Sequence, residues 1–448
     1  MTQNLPAGDT APHPVPQSSD SGLAAGQTRP SRESRRAAER PAGKGKPRSK
    51  PASGTRPVPR QRPSSGKQER TVRVTSPASL LAIVPHLLTF EPAKSLVLIG
   101  TAPPRAQIRV TLRYDLPDPP DPDTAMEIAR HATGVLRAQR IETAVAAGYG
   151  PGPLVTPVAD ALRERATETG LRITELLRAH DQRYWSYLCA NPACCPPEGT
   201  PYDTDHPAAA AMAASGTPVL ASREELAATL APVTGPDAEL MHQATQRAEE
   251  HALQLIERVA RTGRRAAARR LIAVAGVEAV TQVIAAYRRG DHIPAGHCAA
   301  WLTVVLQDLR VRDDAWCRMD PEHCKEHVRL WTDITRLAQP GYVSAPAALL
   351  AFVAWQMGNG AVANVALDRA LSDAPGYRMA QLLRQAIDAG APPSLARIPM
   401  TPEQVAASYD EAEGPDADDS MVDSAAMDEA REASKWAGCG RDGASQDG

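Results

Sequence analysis

Three cysteines, Cys189, Cys194 and Cys195, stand within seven positions of a chain that holds only seven cysteines in all. Trp185 and Tyr187 precede them. A proline-rich turn carrying Glu198 follows, and then His206. Thiolates at short spacing are what zinc takes, and His206 offers a fourth donor. The spacing is unusual, because zinc-binding cysteine pairs stand two to four residues apart and adjacent cysteines chelate one tetrahedral ion awkwardly. The same residues admit a reversible disulfide, a catalytic thiol or packed reduced thiols. A catalytic thiol needs a base beside it, and the sequence fixes no histidine there. The candidate site is therefore Cys189, Cys194, Cys195, Trp185, Tyr187 and Glu198, with Cys189, Cys194, Cys195 and His206 as possible metal ligands. The residue types leave its cofactor open.

Four other stretches carry chemistry-bearing residues. "GYGPGP" (148–153) joins an expected strand to an expected helix, as a phosphate loop would. Pro151 and Pro153 remove two of the N–H donors such a loop needs, so a tight turn is the plainer reading. "HCKEH" (323–327) puts His323 and His327 four apart, able to share a helix face and a metal, or to lie on an amphipathic helix with Val328, Trp331 and Ile334 inward. "RVARTGRRAAARR" (258–270) holds six arginines, which suit phosphate or, more simply, a solvated helix face. "DLRVRDDAW" (308–316) mixes charge pairs with a Trp at a helix junction, as a buried ion-pair network or a site lip would.

Charge divides the chain. Residues 1–70 are rich in Pro, Ser, Gly and Arg and carry net +9; residues 401–448 carry net −10; the whole is −2. Segments this poor in large apolar residues cannot offset the entropy of ordering. A disordered basic arm (1–70) and a disordered acidic tail (394–448) are expected around a structured centre. Nucleic acid enters the reading only through the arm, which has no aromatics for base stacking. The N-terminus has no basic-then-apolar leader, and the longest uncharged stretch, Leu337–Leu367, has a continuous apolar core of only 345–355, too short for a bilayer. A cytoplasmic protein without a membrane span is expected.

The elements that must position the cysteines follow from pattern. Ser76-Pro77 starts a helix running to Leu88. "SLVLIG" (95–100) is a buried strand, and "QIRVTLR" (107–113) alternates as a half-buried one. A helix over 121–139, a strand over 141–150 and a helix over 154–169 follow. Then "LRITELLR" and "RYWSYLC" flank a turn at His180, Asp181 and Gln182. On that second strand Trp185, Tyr187 and Cys189 share a face. Residues 71–220 thus read as an α/β domain, a mixed sheet with flanking helices. Residues 221–393 read as all-α, with helices over 222–230, 237–262, 264–289, 295–309, 321–338, 345–357, 360–373 and 377–389. Within them Leu350, Ala351, Ala354, Gly358, Ala363, Leu367, Ala370 and Pro375 match the packing positions of one tetratricopeptide-like hairpin.

The runs "RVTSPASLLAIVPHLLTFEPAKSLVLIG", "YWSYLCANPACCPPEGTPYD", "RVRDDAW", "HVRLWTD" and "PAALLAFVAWQMGNGAVANVALDRAL" together resemble the actinobacterial domain-of-unknown-function family numbered 4192. The likeness covers about Thr71 to Pro393. It implies an actinobacterial source and brings no catalytic or binding residue. On residues alone, the expected role is an interaction or scaffold protein whose helical half binds a protein or peptide. The alternative is a thiol- or metal-dependent enzyme centred on Cys189, Cys194 and Cys195. Oligomeric state is left open.

Overall fold

The computed structural model describes residues 73–103, 106–214, 218–260, 265–393 and 400–413. The basic arm 1–70 and the tail beyond 413 lie outside the described residues.

A capping box opens the fold. Ser76 Oγ accepts the Ser79 N–H at 3.2 Å and Ser79 Oγ accepts the Ser76 N–H at 2.9 Å, which satisfies two donors that a helix start leaves orphaned. Helix α1 (Pro77–Leu88) follows and is almost wholly buried. Strand β1 (Ser95–Ala102) pairs antiparallel with β2 (Gln107–Asp115) and with β3 (Thr143–Tyr149). Between β2 and β3 lies α2 (Pro122–Ala138). Helix α3 (Gly152–Thr169) carries the chain from β3 to β4 (Arg172–His180), which runs parallel to β3. Strands β5 (Arg183–Ser186) and β6 (Thr200–Pro201) add antiparallel at the edge. The mixed sheet has the order β2-β1-β3-β4-β5-β6.

Alternation sends successive side chains of β1 to opposite faces. Leu96 and Leu98, with Ala144, Ala146 and Leu176, pack under α2 and α3. Val97 and Ile99, with Ala147, Tyr149, Leu177 and Ala179, join α1 and the helical half in a second apolar cluster. Burial on both faces is why the central strands read as continuous apolar runs rather than alternating ones. Gly148 in β3 serves this packing: a Cβ there would sit 2.2 Å from Val155 of α3.

The helical half comprises α4 (Pro207–Ala213), α5 (Arg223–Ala228), α6 (Pro236–Ala260), α7 (Arg265–Arg289), α8 (His297–Val305), α9 (Leu309–Cys317), α10 (Cys324–Leu337), α11 (Ser344–Gln356), α12 (Gly360–Asp373) and α13 (Arg378–Asp388). Helix α4 falls in a stretch, within the expected α/β domain, for which the sequence predicts no helix. Two further features depart from the sequence reading. The helix expected over 295–309 ends at Val305, and Asp308 starts α9 by accepting the N–H groups of Arg310 (2.9 Å) and Val311 (3.4 Å). "DLRVRDDAW" is thus a helix of its own. The second departure lies in the segment expected to be an acidic tail: its residues Pro402–Glu413 form α14, packed on α9. The stretch Arg270–Arg289 of α7 is long and apolar enough to cross a membrane by length and composition. More than half of it is buried inside the protein, where Val280, Val283, Ile284 and Tyr287 are core residues.

Helices α11 and α12 form the expected helix hairpin, and Leu350, Ala351, Ala354, Ala363, Leu367 and Ala370 are all buried. Asp373, at the end of α12, fixes the start of α11. Its carboxylate accepts the N–H groups of Gly341 (2.7 Å), Val343 (3.1 Å) and Ser344 (3.2 Å) and the Ser344 hydroxyl (3.0 Å).

Candidate thiol site

The site hangs on the β4–β5 hairpin and the loop that joins β5 to β6. Asp181 and Gln182 both adopt left-handed backbone, φ 49° and 56°. That is the two-residue turn whose twist matches antiparallel strands. The register then sets Trp185 opposite Arg178, and the Arg178 guanidinium lies 3.5 Å from the centroid of the Trp185 ring. Pairing continues just past β5, where the Tyr187 N–H reaches Leu176 O at 2.8 Å.

The strand expected to run to Cys189 stops at Ser186, and the Leu188 N–H turns back to Ser186 Oγ at 3.2 Å. Cys189 is therefore placed by the loop and not by strand alternation. Trp185 and Tyr187 do share a face. The Tyr187 hydroxyl meets Thr156 Oγ1 of α3 at 2.9 Å. Burial raises its pKa most, with Thr156 opposing.

The loop is tied down at both feet. Trp185 Nε1–H donates to Pro197 O at 2.9 Å, and Arg183 donates to Gly199 O at 2.8 Å and Glu198 O at 3.3 Å. Gly199 is buried, with φ +81°, and a Cβ on it would lie 2.6 Å from the Trp185 ring. Only glycine meets both demands. Tyr184 and Tyr202, at the two ends, meet edge to face with centroids 6.3 Å apart.

Between these feet Asn191 folds the cysteines together. Its carbonyl accepts the N–H groups of Cys194 (3.0 Å) and Cys195 (2.8 Å), and its side-chain oxygen accepts the Ala193 N–H at 3.0 Å. The Sγ atoms of Cys189, Cys194 and Cys195 all lie within 4.8 Å of one another. The Asn191 backbone N–H holds the Cys189 thiol below its ordinary pKa, and hydrogen bonds from Cys195 and Cys194 add to this. The counterpart is Cys195, pushed up to about 12, chiefly because its S–H is held by Cys189. Cys189 is thus the more acidic of the two and Cys195 the one that holds its proton, and the pair titrates as a unit.

A zinc-class ion bound about 2.3 Å from each sulfur holds the sulfurs about 3.8 Å apart. A closure of about 1 Å brings these three to that spacing, so the donor set fits a thiophilic ion. Glu198 lies outside the cluster; it is exposed, and its backbone carbonyl is what the loop uses. His206 also stays outside. It is the N-cap of α4, its Nδ1 accepting the Ala208 N–H at 3.1 Å, which commits one ring nitrogen to the helix start.

Two contributors, Arg178 and Gly199, left no signal in the sequence, whereas Asn191-Pro192 reads there as the turn that brings the chain to Cys194 and Cys195. Of the other stretches, "GYGPGP" packs β3 against α3, whose Pro151 N-cap has no side-chain bond, as a tight turn does. "HCKEH" straddles a helix start: His323 is the N-cap of α10, bonded through Nδ1 to Asp320 at 2.9 Å, while His327 is buried. The two imidazoles form no ligand cluster among the described residues. The arginine run lies partly outside the described residues, at 261–264.

No curated protein and no solved structure matches this chain. The family model for a domain of unknown function, DUF4192, matches residues 77–394, from the first residue of α1 to just beyond α13. With 318 of its 448 residues inside that match, the chain belongs to the DUF4192 family.

Proposed function

We propose that the β5–β6 loop is a thiolate metal centre for a zinc-class ion, with Cys189, Cys194 and Cys195 as ligands. The observation that carries this reading is the gathering of three thiols within 4.8 Å of one another, with the Cys189 thiol lowered by a backbone N–H. Two thiols suffice for a redox pair; a third converging sulfur favours an ion. Three protein donors leave the fourth position to water or a small ligand, the arrangement of sites that bind or react rather than close off. The site needs its thiols reduced, which fits a cytoplasmic setting.

Cobalt(II) tests it, added to reduced, metal-free full-length protein. The expected result is thiolate-to-cobalt charge-transfer absorption saturating at one ion per chain, with Cys189→Ser weakening binding by at least about tenfold. Absence of that absorption, or its survival at full strength in Cys189→Ser, overturns the assignment.

A second reading is that the helical half binds other proteins. It is supported by the successive packing of α10 on α11, α11 on α12 and α12 on α13, the stacking of a tetratricopeptide-like array.

A further inference from the structure

The three thiols also have a chemistry that needs no ion. Their Sγ atoms lie within 4.8 Å of one another, and a disulfide needs about 2.05 Å. A gap of under about 3 Å is within reach of side-chain rotation on a loop. The feet of the loop need not move, because Trp185 Nε1–H on Pro197 O and Arg183 on Gly199 O hold it outside residues 189–195. The sulfurs are also accessible: Cys194 is exposed, and Cys189 and Cys195 are half-buried.

Backbone geometry selects the pair. Cys194 and Cys195 are adjacent, and the peptide between them is trans. Consecutive Cα atoms across a trans peptide stand about 3.8 Å apart, short of the roughly 4.4–6.8 Å that disulfides span. Cys189 is therefore a member of any unstrained bridge in this cluster. Its partner is Cys195, which gives its S–H to Cys189 and contributes more than Cys194 to the hydrogen bonding there. The Asn191 carbonyl, accepting the Cys195 N–H at 2.8 Å, closes the turn between the two.

We propose that this loop is an oxidation site: a hydroperoxide closes a Cys189–Cys195 disulfide, and the closed loop no longer holds an ion. The second half of that statement rests on the metal centre argued above. The Cys189 thiolate attacks the peroxide; its S–O bond forms as O–O breaks, leaving a sulfenic acid and hydroxide. The Cys195 sulfur then displaces that oxygen. The S–S bond forms, the S–O bond breaks, and the oxygen leaves as water with the Cys195 proton. The peroxide takes two electrons, one from each sulfur. Cys194 alone remains, whereas zinc sites use three or four protein ligands. A dithiol reductant reopens the loop by exchange.

Hydrogen peroxide tests this, added in equal amount to reduced, metal-free full-length protein, with differential alkylation and peptide fragmentation to locate the bridge. The expected product is a Cys189–Cys195 bridge within one chain, with Cys194 alkylated. Cys194→Ser still forms it, and Cys189→Ser leaves Cys194 and Cys195 both alkylated. In cobalt-loaded protein the same addition abolishes the thiolate-to-cobalt absorption, and dithiothreitol restores it. Any other pairing, a bridge between two chains, or Cys189 left without a bridge overturns the proposal. Cobalt absorption that survives in protein whose bridge has formed does so too. If the reduced protein gives no cobalt absorption at all, the metal centre fails, and the mapped bridge still decides whether the loop is an oxidation site.

Discussion

His327 makes this fold acid-sensitive in a calculable way. Its side chain is 1 % exposed and neither ring nitrogen has a partner among the described residues. Burial is the main reason that its pKa falls to about 4; Arg288 and His323 push in the same direction, and Asp320 and Glu326 oppose. In the unfolded chain the imidazole titrates near its ordinary value of about 6.5. Below that pH the unfolded state takes up a proton that the fold refuses until about pH 4, so stability is full above 6.5 and is lost as pH falls. At about pH 4.5 the linkage amounts to about 2.5 kcal/mol, with the bulk of the loss falling between about pH 6.5 and pH 4.5. Urea unfolding of wild type and His327→Leu at several pH values between about 7.5 and 4.5 measures it. Carboxylate effects are common to both proteins and cancel in the difference. At neutral pH the leucine variant stays within about 1 kcal/mol of wild type, since no protein hydrogen bond is lost. Parallel pH profiles for the two proteins would refute the reasoning.

Two further substitutions probe the supports. Gly199→Ala forces a Cβ into the Trp185 ring at a left-handed position; cobalt affinity falls about tenfold or more and amide exchange across 187–199 accelerates, whereas an unchanged titration curve contradicts the anchoring role. Asp373→Ala leaves three N–H groups at the start of α11 without their acceptor and lowers the unfolding free energy by about 2–4 kcal/mol, read from the urea midpoint; a loss under about 1 kcal/mol means that water replaces the carboxylate.

What the sequence made readable was local. Ser76-Pro77 marks the start of α1 because a hydroxyl cap and a proline at the first helical position are both short-range devices. The turn at 180–182 and the apolar central strands were equally plain. The sequence reading takes His206 only as a possible ligand, although it immediately precedes Pro207, the place of the N-cap that it in fact fills. The break between α8 and α9 was not readable, because buried apolar residues stand on both sides of the turn, Val305 and Leu306 before Asp308 and Val311 after it. Helix α14 was hidden for the opposite reason. Its composition is that of a solvated tail, and it orders against Arg310 and Asp313, about 100 residues away in sequence. At the thiols, the convergence was suggested by spacing, but the charge balance was not. It depends on a backbone N–H of Asn191 and on a proton held by Cys195.

The span matched by the family closes on itself. Near its end the chain returns to the sheet half, where Gln139 Nε2 of the turn after α2 donates to Gly390 O; within the helical half, Gln356 Nε2 of α11 donates to Pro393 O at 2.6 Å. Earlier, Leu220 exchanges backbone bonds with the end of α1, accepting the Glu91 N–H at 2.9 Å and donating to Thr89 O at 3.0 Å. One apolar cluster then serves both halves, and Tyr184 and Tyr202, the feet of the thiol loop, pack against it. The rigidity of the thiol site is therefore borrowed from the helical half as well as from the sheet that carries it. Helix α14 stands apart from this closure. It buries Val405 and reaches α9 through polar groups. Its attachment is thus separate from the contacts that close the matched span.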